Sequence, residues 1–233
     1  KKMAIVLSLV LACSMSMTAA AAPSPSLIKT PGTQVVVDSS AVNVATGSAA
    51  AATTTSVNSS TSAVMEGTTF KNAAGQAIDP AAVALVVAPA TAEQTAAAVQ
   101  SFTAALTSAK ASIVNFTGRQ DISLTDAQGR IRVLGASVVA LQTADGQAVS
   151  QNGSISVNKT LAEILGTTTL AAGETVQALY QRADGTWVAV PVVINNGVVA
   201  FALPSFAGAV NVVFTVAAGT SVSELAPVTS PNT

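Results

Sequence analysis

The chain has 233 residues, of which 50% are hydrophobic and only 9% charged, with a formal net charge of −1. It contains no histidine and a single cysteine, Cys13, so Ser-His-Asp and Cys-His catalysis and histidine-containing zinc sites are excluded. A near-neutral balance also argues against nucleic acid as a partner, because a phosphate-tracking face needs clustered positive charge.

Lys1 and Lys2 precede an apolar run at 4–12, small residues occupy 18–22, and Pro23 and Pro25 follow. A cationic start, a short apolar core and an A-x-A-like exit predict a secretory signal peptide over 1–22, and hence an extracellular or cell-surface chain. Ser8, Ser14, Ser16 and the alanine tail make 4–22 a poor permanent span, so membrane attachment is expected only through the signal or a lipid. Two processing routes stay open. Val10-Leu11-Ala12-Cys13 resembles the lipobox of bacterial lipoproteins and makes Cys13 the lipidation candidate. Ala19-Ala20-Ala21 offers ordinary cleavage before Ala22, and the apolar Met15 and Met17 after Cys13 favour it. On that route the mature chain has no thiol and no disulfide framework.

Residues 23–62 are mostly Ser, Thr, Ala, Asn, Val and Pro, with Lys29 and Asp38 the sole charges. Such a segment buries too little apolar surface to offset its ordering entropy, which predicts a disordered linker. The run at 33–38 is the exception, a candidate strand able to pair with the body. Residues 63–115 form a strand–helix portion. A short β-like run at 82–87 ends at Pro89. Thr91 and Gln94 then fit a capping box, opening a helix that extends to about Lys110. Val99, Phe102 and Leu106 recur at helical spacing and give it one apolar stripe.

From 116 to 218 the apolar period changes to two. Ile122 and Leu124, Ile131 and Val133, then Val176, Ala178 and Tyr180 recur at every second position. Val199, Phe201 and Leu203 follow, and finally Val210, Val212, Phe214 and Val216. Turn chemistry separates these runs at 126–129, Asp145-Gly146, Asn152-Gly153, Asp184-Gly185 and Asn196-Gly197, dipeptides that supply the positive φ of tight hairpins. Strands are expected at about 175–183, 186–194, 197–203 and 209–217 in an antiparallel meander. Pro191, which lacks a ladder donor, marks an edge or a bulge. The fold class is therefore mainly β, α+β overall, as an antiparallel sandwich preceded by the strand–helix unit and the linker. Residues 219–233 read as a flexible tail.

The segment 180–206 carries Asp184-Gly185 before Trp187, Asn196-Gly197 before Val198, and a Pro204-Ser205-Phe206 corner. It resembles the closing hairpins of immunoglobulin-like β-sandwich modules in surface proteins of Gram-positive bacteria. The segment 121–129 resembles their opening strand and turn. The likeness covers about 100 of the 233 residues and rests on turn and packing positions. It implies an Ig-like sandwich on an exported protein with a linking or scaffolding role, and it carries no catalytic residue over.

The remaining chemistry is sparse. A carboxylate pair drawn from Asp121, Asp126, Glu163 and Glu174 is the one route to an enzyme, a glycan hydrolase. Asp121, Asp126 and Asp145 are the candidates for a calcium site on one loop face. Tyr180 and Trp187 flank a hairpin and form a sugar-stacking platform if exposed, ordinary core if buried. Arg119, Arg130 and Arg132 read as solvated surface. Asn58, Asn115, Asn152 and Asn158 head glycosylation sequons that matter only in a eukaryotic host. The expectation is an exported, non-enzymatic structural or interaction module with no cofactor and no metal. Its partner is a protein, a cell-wall polymer or another copy of itself. The alternatives are a carbohydrate- or calcium-binding module, or a carboxylate-dependent hydrolase.

Overall fold

The computed structural model describes residues 35–37, 52–107, 113–115, 126, 128–166, 168–190 and 192–218. The signal segment with Cys13, most of the linker, Lys110, Arg119, Asp121, Ile122, Leu124, Pro191 and the tail at 219–233 lie outside the described residues. Before the first long helix the strands are β1 (Val35–Val37), β2 (Thr53–Ser56), β3 (Ser62–Val64), β4 (Thr69–Lys71), β5 (Ala77–Ile78) and β6 (Val83–Pro89). Helix α1 (Ala92–Thr107) leads to β7 (Ile113–Asn115), β8 (Ile131–Thr143), β9 (Ser150–Asn152) and β10 (Ser154–Thr160). Helix α2 (Leu161–Leu165) precedes β11 (Glu174–Gln181), β12 (Trp187–Val190), β13 (Val192–Asn195), β14 (Val198–Pro204) and β15 (Ala209–Ala218).

These residues build a mainly antiparallel β fold. The largest sheet runs β2-β6-β8-β15-β11-β12-β7, with β1 added in parallel to β8. A second sheet runs β13-β14-β10-β3 and a third β5-β4-β9. Alternate residues of the first two sheets meet in the main core: Val139, Leu141, Tyr180, Val212 and Phe214 from one, Ile155, Val157, Phe201 and Leu203 from the other. Phe201 and Phe214 join the two sheets edge to face, with ring centroids 5.5 Å apart. Burying each such side chain contributes about 1.5–3 kcal/mol, so this interior is the main source of stability.

The opposite face of the large sheet is closed by α1. Its capping box is made as the sequence predicts: the Gln94 amide donates to Thr91 Oγ1 at 3.1 Å and the Thr91 amide to Gln94 Oε1 at 2.9 Å. Ala98, Phe102 and Ala105 then pack on Ile131, Val133, Leu179, Trp187, Ala189 and Val213. The small residues either side of Phe102 let the helix lie close, and the Phe102 ring meets Trp187 at 5.5 Å and 67°.

Both faces of β8 are used because its alternation is reset within the strand. The register with β15 slips between Phe214 and Thr215, leaving Leu134 as the extra residue. Ile131 and Val133 therefore face the helix, while Leu134, Val139 and Leu141 face the other sheet.

Three expectations need correction. The run at 186–194 is two strands: β12 pairs β11 in the large sheet, and β13 pairs β14 in the second. The chain changes sheet between Val190 and Val192, at the proline whose missing N–H would break a continuous ladder. The four expected strands are consequently five, the hairpins β11–β12 and β13–β14 in place of one meander, with β15 returning to the large sheet between β8 and β11. Asn152-Gly153 does not close a hairpin either. It passes the chain from β9, paired with β4, to β10, paired with β3 and β14. Gly153 has φ 118°, and a Cβ there would lie 2.7 Å from Thr68 Cα, so close backbone approach explains the glycine.

Part of the stretch read as linker is also built into the sheets. Thr53–Ser56 pairs antiparallel with β6, and Ser62 opens β3. The strand candidate at 33–38 is realised as β1, whose partners are Ile131, Arg132 and Val133.

Candidate functional site

The acids singled out from the sequence serve local backbone structure, and the fold does not gather them. Asp126 closes the turn that enters β8. Its Oδ1 accepts from the Gln128 and Arg130 amides at 2.9 Å, and its Oδ2 from Arg130 Nε at 3.1 Å and Nη2 at 2.9 Å. Burial pushes the Asp126 carboxyl up. The Arg130 and Gln128 amides and the Arg130 guanidinium outweigh that and hold it below its ordinary value.

Glu163 completes a capping box on α2. Thr160 Oγ1 accepts from the Glu163 amide at 3.2 Å, and the Thr160 amide donates to Glu163 Oε2 at 2.8 Å. The Thr160 contacts and the Lys159 charge, against the effect of burial, keep this carboxyl low too. Lys159 itself is pushed down by burial, partly offset by Glu163. Glu174 begins β11, where its Oε2 accepts from Arg132 Nη2 at 3.1 Å and from the Ala171 amide at 2.9 Å.

The three acids for calcium are not brought to one loop face. Asp121 lies outside the described residues. Asp126 precedes β8 and Asp145 follows it, so the thirteen residues of that strand separate them, roughly 40 Å if extended. Asp145 instead accepts from the Thr143 hydroxyl in its own turn. Among the described residues, no group of three or more His, Cys, Asp or Glu side chains is placed to hold a metal.

The aromatic platform is corrected in the same way. Trp187 pairs with Gln181, and Tyr180 with Val188. The two rings therefore lie on opposite faces of the sheet, Tyr180 in the inter-sheet core and Trp187 under α1, and both are buried. The loop sets this outcome. Arg182 N–H donates to Thr186 O at 2.8 Å, which fixes 181 opposite 187 and leaves 180 one step out of phase. Ser101 Oγ accepts from Gln181 Nε2 at 2.6 Å and lies 3.4 Å from Trp187 Nε1, tying the helix to the polar tip of the indole.

What the fold does present outward is strand edge. Among the described residues, the strands with a single partner are β1, β2, β7, β13, β3, β5 and β9, and none contains Lys, Arg, Asp or Glu. Charged side chains are the usual protection for such edges. They are not equally open. Along β3 the Val64 amide, directed away from β10, donates to Asn58 Oδ1 at 3.1 Å, and the Ser62 amide to Ser59 O at 3.4 Å. At the end of β2 the Ser62 hydroxyl donates to Val57 O at 2.7 Å and lies 3.2 Å from the Ser56 carbonyl.

The edge at β13 is different. The two-residue loop Asn196-Gly197, with φ 48° and 75°, pairs Asn195 with Val198 as a hydrogen-bonded pair. Val193 and Asn195 therefore bond β14, and Val192 and Ile194 turn their backbone groups away from it, Ile194 partly exposed and Val192 buried. Val-Val-Ile is β-branched throughout, the composition that favours strand pairing. This signal was present in the sequence, although reading 186–194 as one strand concealed that its second half stands alone at an edge. Compared with family models, curated proteins and solved structures, the chain matches none of them.

Proposed function

We propose that the chain is an exported, non-enzymatic structural module of the Ig-like β-sandwich kind, held at or released from a cell surface, and that it assembles through sheet edges. One observation carries this reading: β13 is an uncharged, β-branched edge strand whose accessible outward backbone is at Ile194, Val192 being buried. An added strand gains main-chain hydrogen bonds there, the β-augmentation mode of recognition. The low net charge supports it, because copies of the chain repel one another weakly. The two-sheet core supports the sandwich, and the sequence features at 1–22 support export.

The test is sedimentation of the chain 23–233 over rising concentration, beside Ile194→Pro. That substitution deletes one outward N–H while leaving the bonds from Val193 and Asn195 to β14 in place. The expected result is association by the parent chain and at least tenfold weaker association by the variant. A parent chain that stays monomeric at millimolar concentration, or a variant that associates equally, refutes the reading.

A further inference from the structure

The second sheet, β13-β14-β10-β3, turns one face into the main core through Val157, Val192, Phe201 and Leu203. By the two-residue period the residues between them turn outward, Ser154, Ser156 and Asn158 on β10 and Val198, Ala200 and Ala202 on β14. Val193 joins them from β13 opposite Ala200, and Ala63 from β3 opposite Ser156. The outward face of the large sheet is closed by α1, whereas these side chains are half-buried or exposed.

None of these outward residues is charged. Met65 continues β3, its amide donating to Ser154 O at 3.0 Å, and falls on the same side as Ala63. Among the described residues the large apolar side chains that stand exposed are Met65, at 48%, and Val198, at 39%. Both lie on this one face, near its opposite ends. Between them Ala200, Ala202 and Ser156 leave a low, flat middle that a second sheet can approach.

Charge and area together select the occupant. A two-fold axis sets a patch against itself, so any charge on it would face its like; a face with no charge meets no such penalty. At ~3.4 Å of rise per residue and ~4.8 Å between strands, the flat patch covers about 350 Å². One copy laid on another therefore buries about 700 Å², below the roughly 1,000 Å² that a stable interface needs. Pairing along β13 changes this, because β13 is the outer strand of the same sheet. A two-fold antiparallel pair there continues the sheet with both outward faces on one side. Two such pairs stacked face to face bury about 1,400 Å², within the range of specific interfaces.

From these observations we infer that the outward face of the second sheet docks on the same face of further copies once copies are paired along β13. The assembly closes at four chains, with two-fold axes through both edge and face. This rests on the reading of β13 as an assembly edge, and it adds a second surface and its occupant.

Sedimentation of the chain 23–233 over rising concentration tests it, with β content checked by circular dichroism. The parent is expected to pass from two to four chain masses. Ala200→Glu and Ala200→Lys, each placing like charges across the stacked faces, should stop at two. An equimolar mixture of the two variants should recover four, a rescue that loss of stability would not produce. A parent that stops at two chain masses overturns the inference and leaves edge pairing standing. So does a charge variant that reaches four as readily as the parent, or a mixture that stays at two. A parent that stays at one chain mass removes the edge reading, and face docking with it.

Discussion

Truncating Phe102 tests whether α1 is part of the folded unit or merely lies on it. The side chain is fully buried and meets the indole of Trp187 edge to face at 5.5 Å. Phe→Ala in a core costs about 3–5 kcal/mol, from lost transfer free energy and the cavity left behind. The aromatic pair accounts for about 0.5–1.5 kcal/mol of that. Its surroundings are Ala98 and Ala105 on the helix and a β-sheet beneath, neither of which collapses readily into the space, so a value near 4 kcal/mol is expected.

Trp187 is the single tryptophan of the chain, so its emission reads this interface directly. In urea, with an m-value of about 2 kcal/mol/M, the midpoint should fall by about 2 M, and fluorescence and circular dichroism should move together. Phe102→Leu, which keeps most of the volume, should cost about 1–2 kcal/mol. A cost below about 1 kcal/mol for the alanine variant, or parent emission already that of a hydrated indole, refutes the assignment of α1 to the core. So would a tryptophan transition that precedes loss of the sheet.

Gly153→Ala should destabilise by about 2–4 kcal/mol, since the added Cβ meets Thr68 backbone at a positive φ; an unchanged thermal midpoint contradicts this. Asp126 and Glu163 both have lowered folded-state pKa values, so the stability they contribute is present above the unfolded carboxylate range and is lost as pH falls through the folded values. Asp126→Asn should therefore flatten the acid limb of a stability–pH curve taken by urea titration below about pH 4, and an identical limb contradicts it. Ser101→Ala should cost about 1–2 kcal/mol, because Gln181 Nε2 loses its acceptor on the helix and the indole N–H its polar neighbour. A stability within 0.3 kcal/mol of parent would be inconsistent with that contact, on the scale of ~1 kcal/mol per hydrogen bond.

How much of this was legible in the sequence depends on whether the signal is local. The capping box at Thr91 and Gln94 and the Asn196-Gly197 turn are complete within four residues, and both are as read. The same signature at Thr160 and Glu163 was equally local, yet Glu163 was weighed as an acid for catalysis instead of as a cap. β8 was visible at Ile131 and Val133 alone, because the bulge at Leu134 breaks the period that would have revealed thirteen continuous residues. The face of Trp187 follows from which residues close the Asp184-Gly185 loop, a one-residue question that composition does not answer. Insertion of β15 between β8 and β11 depends on pairings far apart in sequence, and no local pattern encodes it.

The edges raise a question that the scarcity of charge makes sharper. A chain this poor in Lys, Arg, Asp and Glu has few of the side chains that usually deter edge-to-edge aggregation. It protects some edges with neutral groups instead. Asn58 and Ser59 occupy the outward amides of β3, and the Ser62 hydroxyl, bonded to Val57 O, lies against an outward carbonyl of β2. Both devices come from the single segment at 56–62, which turns two neighbouring edges inward on itself. β8 is handled differently, with a separate three-residue strand laid over its exposed end. Each device uses hydrogen bonding that a partner strand would also offer, so each covers an edge without repelling a competitor. A charge would forbid strand addition, whereas an Asn side chain or a tethered strand only competes with it.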